Sequence, residues 1–327
     1  MDNSEIFARL CNTAEECAAG TDLEPLLVQI RDVNETDEEG HSPLWYASIH
    51  NPNVSVVETL LKAGAENSVD LVSLAVINNP NPDVALYLYG RLPSISQDDK
   101  NLLFLLSAAA NTHDRLVRFF HEQGADIDTT MPMDLYLEPH TDEPYDMEFD
   151  ELWLNDDQSV EQNALVVAIY ENPEPIEMVR TLLELGVQVN AVDSEGYPVI
   201  IHALDDVEIV MELLAGGVDV NTQDIHGMTP LMHACAADVN DVALLLIPKT
   251  IDVNMKSNTG ESALHYALGC HLDDNTMVVK ALIEAGCNVN EPDGEGLLPL
   301  EIARFNYCSD QIIELLMKAG ARMGEVS

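Results

Sequence analysis

The stretch Gly260-Glu261-Ser262-Ala263-Leu264-His265-Tyr266-Ala267 places an aliphatic residue four positions after a glycine and an alanine seven positions after it. The same two offsets recur after Gly40 (Leu44, Ala47), Gly196 (Ile200, Ala203), Gly227 (Leu231, Ala234) and Gly296 (Leu300, Ala303). Residues three apart share a helix face, so each stretch predicts a short helix whose alanine lets a neighbour approach closely. A second landmark is an apolar pair and a glycine, in Leu60-Leu61-Lys62-Ala63-Gly64, Leu182-Leu183-Glu184-Leu185-Gly186, Leu213-Leu214-Ala215-Gly216-Gly217 and Leu282-Ile283-Glu284-Ala285-Gly286. Val189-Asn190, Val220-Asn221 and Val289-Asn290 follow three of these glycines, and Val253-Asn254 stands in the same place after Thr250. From Gly186 onward the landmarks lie 31 to 36 residues apart.

One unit is therefore a short helix, a longer amphipathic helix such as Ile176 to Leu185 or Met277 to Ala285, and a tight turn. The closing glycine predicts a positive φ at the helix end. Stretches such as Asp193-Ser194-Glu195-Gly196 supply turn chemistry. A single unit cannot bury its own apolar face, so the units must stack.

Gly227-Met228-Thr229-Pro230-Leu231, the Gly260 to Ala267 stretch and the closing Gly217-Val218-Asp219-Val220-Asn221 resemble the ankyrin repeat. Met232 and Ile201 depart from the usual histidine, and Thr250 from the usual glycine. The resemblance is strong from Asn163 to Met323, clear for Asp37 to Ala65, and degraded between them. It implies an all-α ankyrin-repeat solenoid of about nine helix-turn-helix units with one acidic insertion. The expected organisation is a capping repeat over 1–36, partly degenerate repeats over 37–128, an acidic aromatic insertion over 129–161, and five repeats over 162–327. The resemblance also implies a protein-binding module rather than an enzyme, with partners on the hairpin tips and on the concave face of the first helices. His265 then holds the position that ties the turn by hydrogen bonding.

Charge narrows the partner. Fifty-eight Asp and Glu face 14 Lys and Arg, a net charge of −44. Such a field repels nucleic acid and anionic membrane, whose binding needs cations, and attracts basic proteins. Between Phe119 and Pro248 there are 28 carboxylates, and Arg180 is the only Lys or Arg. The same repulsion predicts a monomer when unbound. None of the six cysteines forms a Cys-x-x-Cys pair, which reads as reduced thiols in a cytoplasmic protein. The N-terminus resembles no secretory signal, and the longest apolar run is too short to span a bilayer.

Met131 to Gln158 fits no repeat and holds ten carboxylates without a Lys or Arg. Long segments inside a compact array are often functional. The candidate partner-binding residues there are Asp142, Glu143, Tyr145, Asp146, Glu148, Phe149, Asp150, Glu151 and Trp153.

By position, the tips are Val192 to Tyr197, Thr222 to Met228, Met255 to Glu261 and Glu291 to Leu297. Tyr197, His226 and Met228 are the candidate anchors, and Asp193, Glu195, Asp224, Glu291, Asp293 and Glu295 the candidate acidic rim. No phosphate loop, His-Glu-x-x-His or Cys/His metal spacing occurs, so no catalytic residue, metal or cofactor is expected. The leading expectation is a non-enzymatic protein that binds and inhibits a basic protein, such as a nuclease, a toxin or a nucleic-acid-binding factor. A DNA mimic, an immunity-like protein or an effector would satisfy it. The alternative is a general interaction scaffold whose acidity serves solubility only.

Overall fold

In the computed structural model, residues 3–110, 114–132, 161–269 and 275–324 are described. The candidate partner-binding residues Asp142, Glu143, Tyr145, Asp146, Glu148, Phe149, Asp150, Glu151 and Trp153 lie outside them.

Helices start where the sequence offers a cap. Ser42 accepts from the Trp45 N–H at the start of α3 (Pro43–His50), and Thr229 caps α12 (Pro230–Ala236) through the Met232 N–H. In both, proline occupies the first helical position, where no N–H is needed. Asn163 accepts from the N–H groups of Leu165 and Val166 to open α9 (Ala164–Glu171). The closing glycines Gly64, Gly124, Gly186, Gly217, Gly286 and Gly320 all have φ between 89° and 97°. Thr250 has no such freedom, and there the chain leaves α13 (Asn240–Leu246) through a 3-10 turn, Ile247–Lys249, into extended backbone.

The remaining helices of the first compact unit are α1 (Asn3–Glu16), α2 (Glu24–Leu27), α4 (Val54–Lys62), α5 (Val69–Asn78), α6 (Pro82–Tyr89), α7 (Gln97–Ala110), α8 (Asp114–Glu122) and α10 (Pro175–Leu185). This unit comprises Met1–Met131 with Asn163–Val187. Within it the first helices stack in order, α1 on α3, α3 on α5, α5 on α7 and α7 on α9. The second helices form a parallel layer, α4 on α6, α6 on α8 and α8 on α10. The 3-10 turn Gly20–Asp22 packs on α4 so closely that a Cβ on Gly20 would overlap the Ser55 carbonyl oxygen.

The second unit comprises Pro132–Gln162 with Gln188–Ser327. It adds α11 (Val207–Ala215), α14 (Ala263–Gly269), α15 (Thr276–Glu284), α16 (Pro299–Phe305) and α17 (Asp310–Lys318). Its first pair opens with a 3-10 segment, Val199–Ala203, where the pattern predicts a helix. Pro198 offers no capping side chain, Val199, Ile200 and Ile201 are β-branched, and Asp206 caps the next helix three residues later. Stacking continues as before: this segment on α12, α12 on α14, α14 on α16, and α11 on α13, α13 on α15, α15 on α17. The described residues thus form nine helix pairs. Their only strands are two three-residue segments, Thr130–Pro132 and Glu161–Asn163.

The alanines seven positions after the tip glycines, Ala47, Ala203, Ala234, Ala267 and Ala303, are at most 1% exposed. They lie on first helices that pack against a neighbouring first helix, an approach that a small side chain permits. Asparagines then join repeat to repeat. Asn34, Asn254 and Asn290 each donate to the closing glycine carbonyl of the next repeat (Gly64, Gly286, Gly320) and accept from the N–H two residues beyond it. A second, buried set works at the other end of the helices. Asn51 donates to the carbonyls of Ala14 and Cys17, and Asn79 to those of Ser48 and Asn51. Asn172 donates to the Ala108 carbonyl.

Candidate functional site

The hairpin tips of the second unit are built on one repeated device. Asp193 Oδ1 accepts from the N–H groups of Glu195 and Tyr197, while its Oδ2 lies 2.9 Å from His202 Nε2. Asp224 does the same with His226 and Met228, and its Oδ2 lies 2.7 Å from His233 Nε2. In the first unit Asp37 holds the N–H groups of Glu39 and His41 and accepts from the Tyr46 hydroxyl. Asp293 holds Glu295 and Leu297 but meets no such ring, because position 302 is isoleucine.

Asp193 and Asp224 are 6% and 7% exposed, so they do not stand on an acidic rim as the tip pattern suggested. Each spends one oxygen on the turn and the other on a histidine. Burial alone would raise the Asp193 pKa. The His202 contact and the Tyr197 and Glu195 N–H bonds outweigh it and hold the carboxyl below its usual range. Glu291 is not an open rim charge either: its carboxylate sits 2.7 Å from Lys256 Nζ, which also lowers its pKa. Asp293 is half-buried against its own turn. Glu195 and Glu295 are the two candidate rim acids that stand exposed.

Among the anchors, Tyr197 and His226 come together. The Tyr197 hydroxyl is 3.2 Å from His226 Nε2, and the ring centroids are 6.1 Å apart. The His233 ring meets Tyr197 edge-on at 6.2 Å. Met228 is half-buried in the adjoining turn. Exposed Val192 and Ile225 flank this cluster in sequence. Neither apolar residue stood out in the sequence, where each reads as ordinary turn spacing.

His265 occupies its expected structural role. Its Nδ1 accepts from the Ser262 N–H at 2.9 Å and its Nε2 reaches the Glu291 carbonyl. Met232, which replaces the equivalent histidine one repeat earlier, receives the Thr229 N–H on its sulfur. An aromatic cluster in the first unit was not foreseen. His41 stacks on Trp45 at 3.7 Å, with Tyr46 and His50 edge-on to the Trp45 ring. The run His41-Ser42-Pro43-Leu44-Trp45-Tyr46 carried that signal.

At least half of the 14 cations are spent locally: among the described residues Lys62, Arg115, Arg118, Arg180, Lys256, Lys280 and Lys318 each lie within hydrogen-bonding or ion-pair distance of a carboxylate. No disulfide joins the described cysteines, and burial pushes the thiols of Cys11 and Cys287 up to about 12 and about 11. Among the described residues no helix is long and apolar enough to cross a membrane.

The model for three copies of the ankyrin repeat matches residues 199–293, and the single-repeat model matches residues 39–73. The chain is an ankyrin-repeat protein. It is 25% identical to the crystal structure of an ankyrin repeat domain from Acinetobacter baumannii, covering 67% of this chain and 98% of that one with a TM-score of 0.54. A putative ankyrin repeat protein of Rickettsia bellii is 29% identical over 92 residues, and one of Rickettsia felis is 33% identical over 88. Each alignment takes in 27% of this ankyrin-repeat chain and only 13% and 22% of the two relatives. Ankyrin repeats are protein–protein interaction modules, generally without catalytic activity, and the repeats mark this protein as such a module.

Proposed function

We propose that this ankyrin-repeat protein binds a basic protein through the acidic surface of its second unit and inhibits it by occupying the surface that protein offers to polyanions. One observation carries the reading. Residues 188–248 contain ten carboxylates and no Lys or Arg. Five of them, Glu195, Asp205, Glu208, Asp219 and Asp241, are exposed. A surface of one sign raises the encounter rate of an opposite partner and disfavours like-charged ones. A nuclease, a toxin or a nucleic-acid-binding factor has the required basic face, so this acidic surface would act as a DNA mimic.

The test is capture of proteins from a native lysate on the immobilised chain, beside a variant carrying Glu195→Gln, Asp205→Asn, Glu208→Gln, Asp219→Asn and Asp241→Asn. The expected result is a basic protein retained at low ionic strength, released as salt rises, and lost on the variant. Charges further apart than about 8 Å are screened at physiological salt, so a field-driven complex must weaken above it. Retention that is unchanged by both salt and the five substitutions would leave a general interaction scaffold whose acidity serves solubility.

A further inference from the structure

We propose that Tyr197 and His226, on adjacent tips of the second unit, form the seat for an arginine side chain of the partner. This rests on the basic-partner reading and names the residue through which that partner would be held.

Other tips of the same unit supply the precedent. Between the tips that begin at Ser257 and Asp293, the interval is bridged by the chain's own cation: Lys256 Nζ donates to the Pro292 carbonyl at 3.0 Å and meets the Glu291 carboxylate at 2.7 Å. One repeat earlier the position equivalent to Lys256 is Gln223, which donates to the Gly227 and Lys256 carbonyls and brings no charge. One repeat before that it is Val192. The interval between the Asp193 and Asp224 tips thus holds no lysine of its own, and its acidic groups are Asp193, Glu195 and Asp224.

Its chemistry suits a guanidinium. The Tyr197 hydroxyl and His226 lie together on the tips, with Glu195 exposed beside them. The buried carboxylates of Asp193 and Asp224 lie close enough, with Glu195, to push the Tyr197 pKa upward after burial itself. Their outer oxygens are committed to His202 and His233, so the negative charge is fixed in position. Aromatic faces hold arginine better than lysine, because the guanidinium is planar and weakly hydrated. Ile225, 59% exposed, lies over Gly196, where a Cβ would run into its Cγ2. That places an apolar side chain next to Tyr197, against which the methylene stem of an arginine can pack.

The seat is also pre-formed. Tyr197 exchanges two backbone bonds with Asp193, donating to its carboxylate and accepting from its N–H. His226 donates to the Asp224 carboxylate and accepts from the Asn258 N–H at 2.8 Å. Little ordering remains for a ligand to impose.

The test uses the full chain and two capped peptides, Gly-Arg-Gly-Arg-Gly and Gly-Lys-Gly-Lys-Gly, titrated at low ionic strength while the Tyr197 and His226 ring resonances are followed. The arginine peptide is expected to shift both rings saturably, and to bind about threefold more tightly than the lysine peptide. Tyr197→Ala and His226→Ala should remove that preference. His226 is exposed, so its variant keeps the fold even if the tyrosine variant does not. Equal binding of the two peptides, with shifts spread over all exposed carboxylates, would overturn the seat while leaving the basic-partner reading intact. Failure of both peptides to shift the two rings would also overturn it. A specific arginine preference at Tyr197 together with salt-independent capture from lysate would have the opposite meaning: the seat exists, and the field-driven partner reading falls.

Discussion

His233 Nε2 lies 2.7 Å from Oδ2 of Asp224, nine residues before it in the chain, and thereby ties the first helix of a repeat to its own hairpin tip. His202 with Asp193 and Tyr46 with Asp37 repeat the relationship at the same spacing. Tip and helix are therefore one rigid piece in these repeats. In the last repeat, where Ile302 stands in the ring position, only the turn bonds remain.

Asp224→Ala removes three hydrogen bonds from a carboxylate whose side chain is fully buried, and leaves two turn N–H groups without an acceptor. Loss of buried charge-assisted bonds predicts a destabilisation of about 3 kcal/mol. Asp293→Ala, in a half-buried turn without the ring partner, should cost about half as much. Urea unfolding of the two variants checks the order, and equal midpoints would show that the ring contact contributes nothing.

The asparagine staples make a second, graded prediction. Asn51→Ala strips the buried carbonyl of Ala14 and the half-buried one of Cys17 of their donor and should cost about 2 kcal/mol. Asn254→Ala frees groups that water reaches, and should cost about 1 kcal/mol or less. Thermal melts of the paired variants decide it, since a reversal of that order would mean that burial does not set the cost.

Much of the repeat was legible because spacing alone encodes it. Gly260, Leu264 and Ala267 are forced by a turn, a core contact and a close helix approach, and each constraint selects a narrow residue set. The 3-10 segment at Val199 was not legible, because the apolar spacing there is intact and only the missing cap and the early Asp206 betray it. The site was read less well. Glu195 and Asp193 look alike in sequence, yet one is exposed and the other buried, since burial depends on where His202 falls nine residues later. The pairing of Tyr197 with His226 joins residues 29 apart, and it needs the stacking of two repeats before it exists.

Gly227→Ala should cost more than Gly186→Ala, although both glycines have positive φ. At Gly186 a Cβ meets nothing within 4 Å, so only the backbone penalty of about 1 kcal/mol applies. At Gly227 the Cβ would lie 2.7 Å from Asn258 Oδ1 and 2.9 Å from Asn258 N. Asn258 in turn donates to the carbonyls of Ile225 and His226, so the clash would spread to the neighbouring tip. Gly227→Ala should therefore lose the arginine-peptide preference as well as stability, whereas Gly186→Ala should lose stability alone. Unfolding midpoints and the peptide titration, run on both variants, separate the two effects.

The last prediction concerns pH. His265 must be neutral to accept the Ser262 N–H on Nδ1, and burial lowers its pKa below 6.5. Protonation would oppose that bond, so the unfolded chain takes up the proton first. Stability from this residue is then complete above about pH 6.5 and is lost as pH falls through the lower folded value. Asp193 behaves likewise in a separate window, because its depressed pKa keeps its contribution intact until pH falls below 3.8. Over the same descent the chain's other carboxylates lose their mutual repulsion, which acts in the opposite direction. The measurement is therefore a difference: the melting temperature of the native chain minus that of His265→Gln, followed from pH 7.5 to pH 5. The glutamine stays uncharged throughout, so the difference should shrink as the solution is acidified. A difference that stays constant over this range would mean that His265 does not lose its bond to Ser262 on protonation.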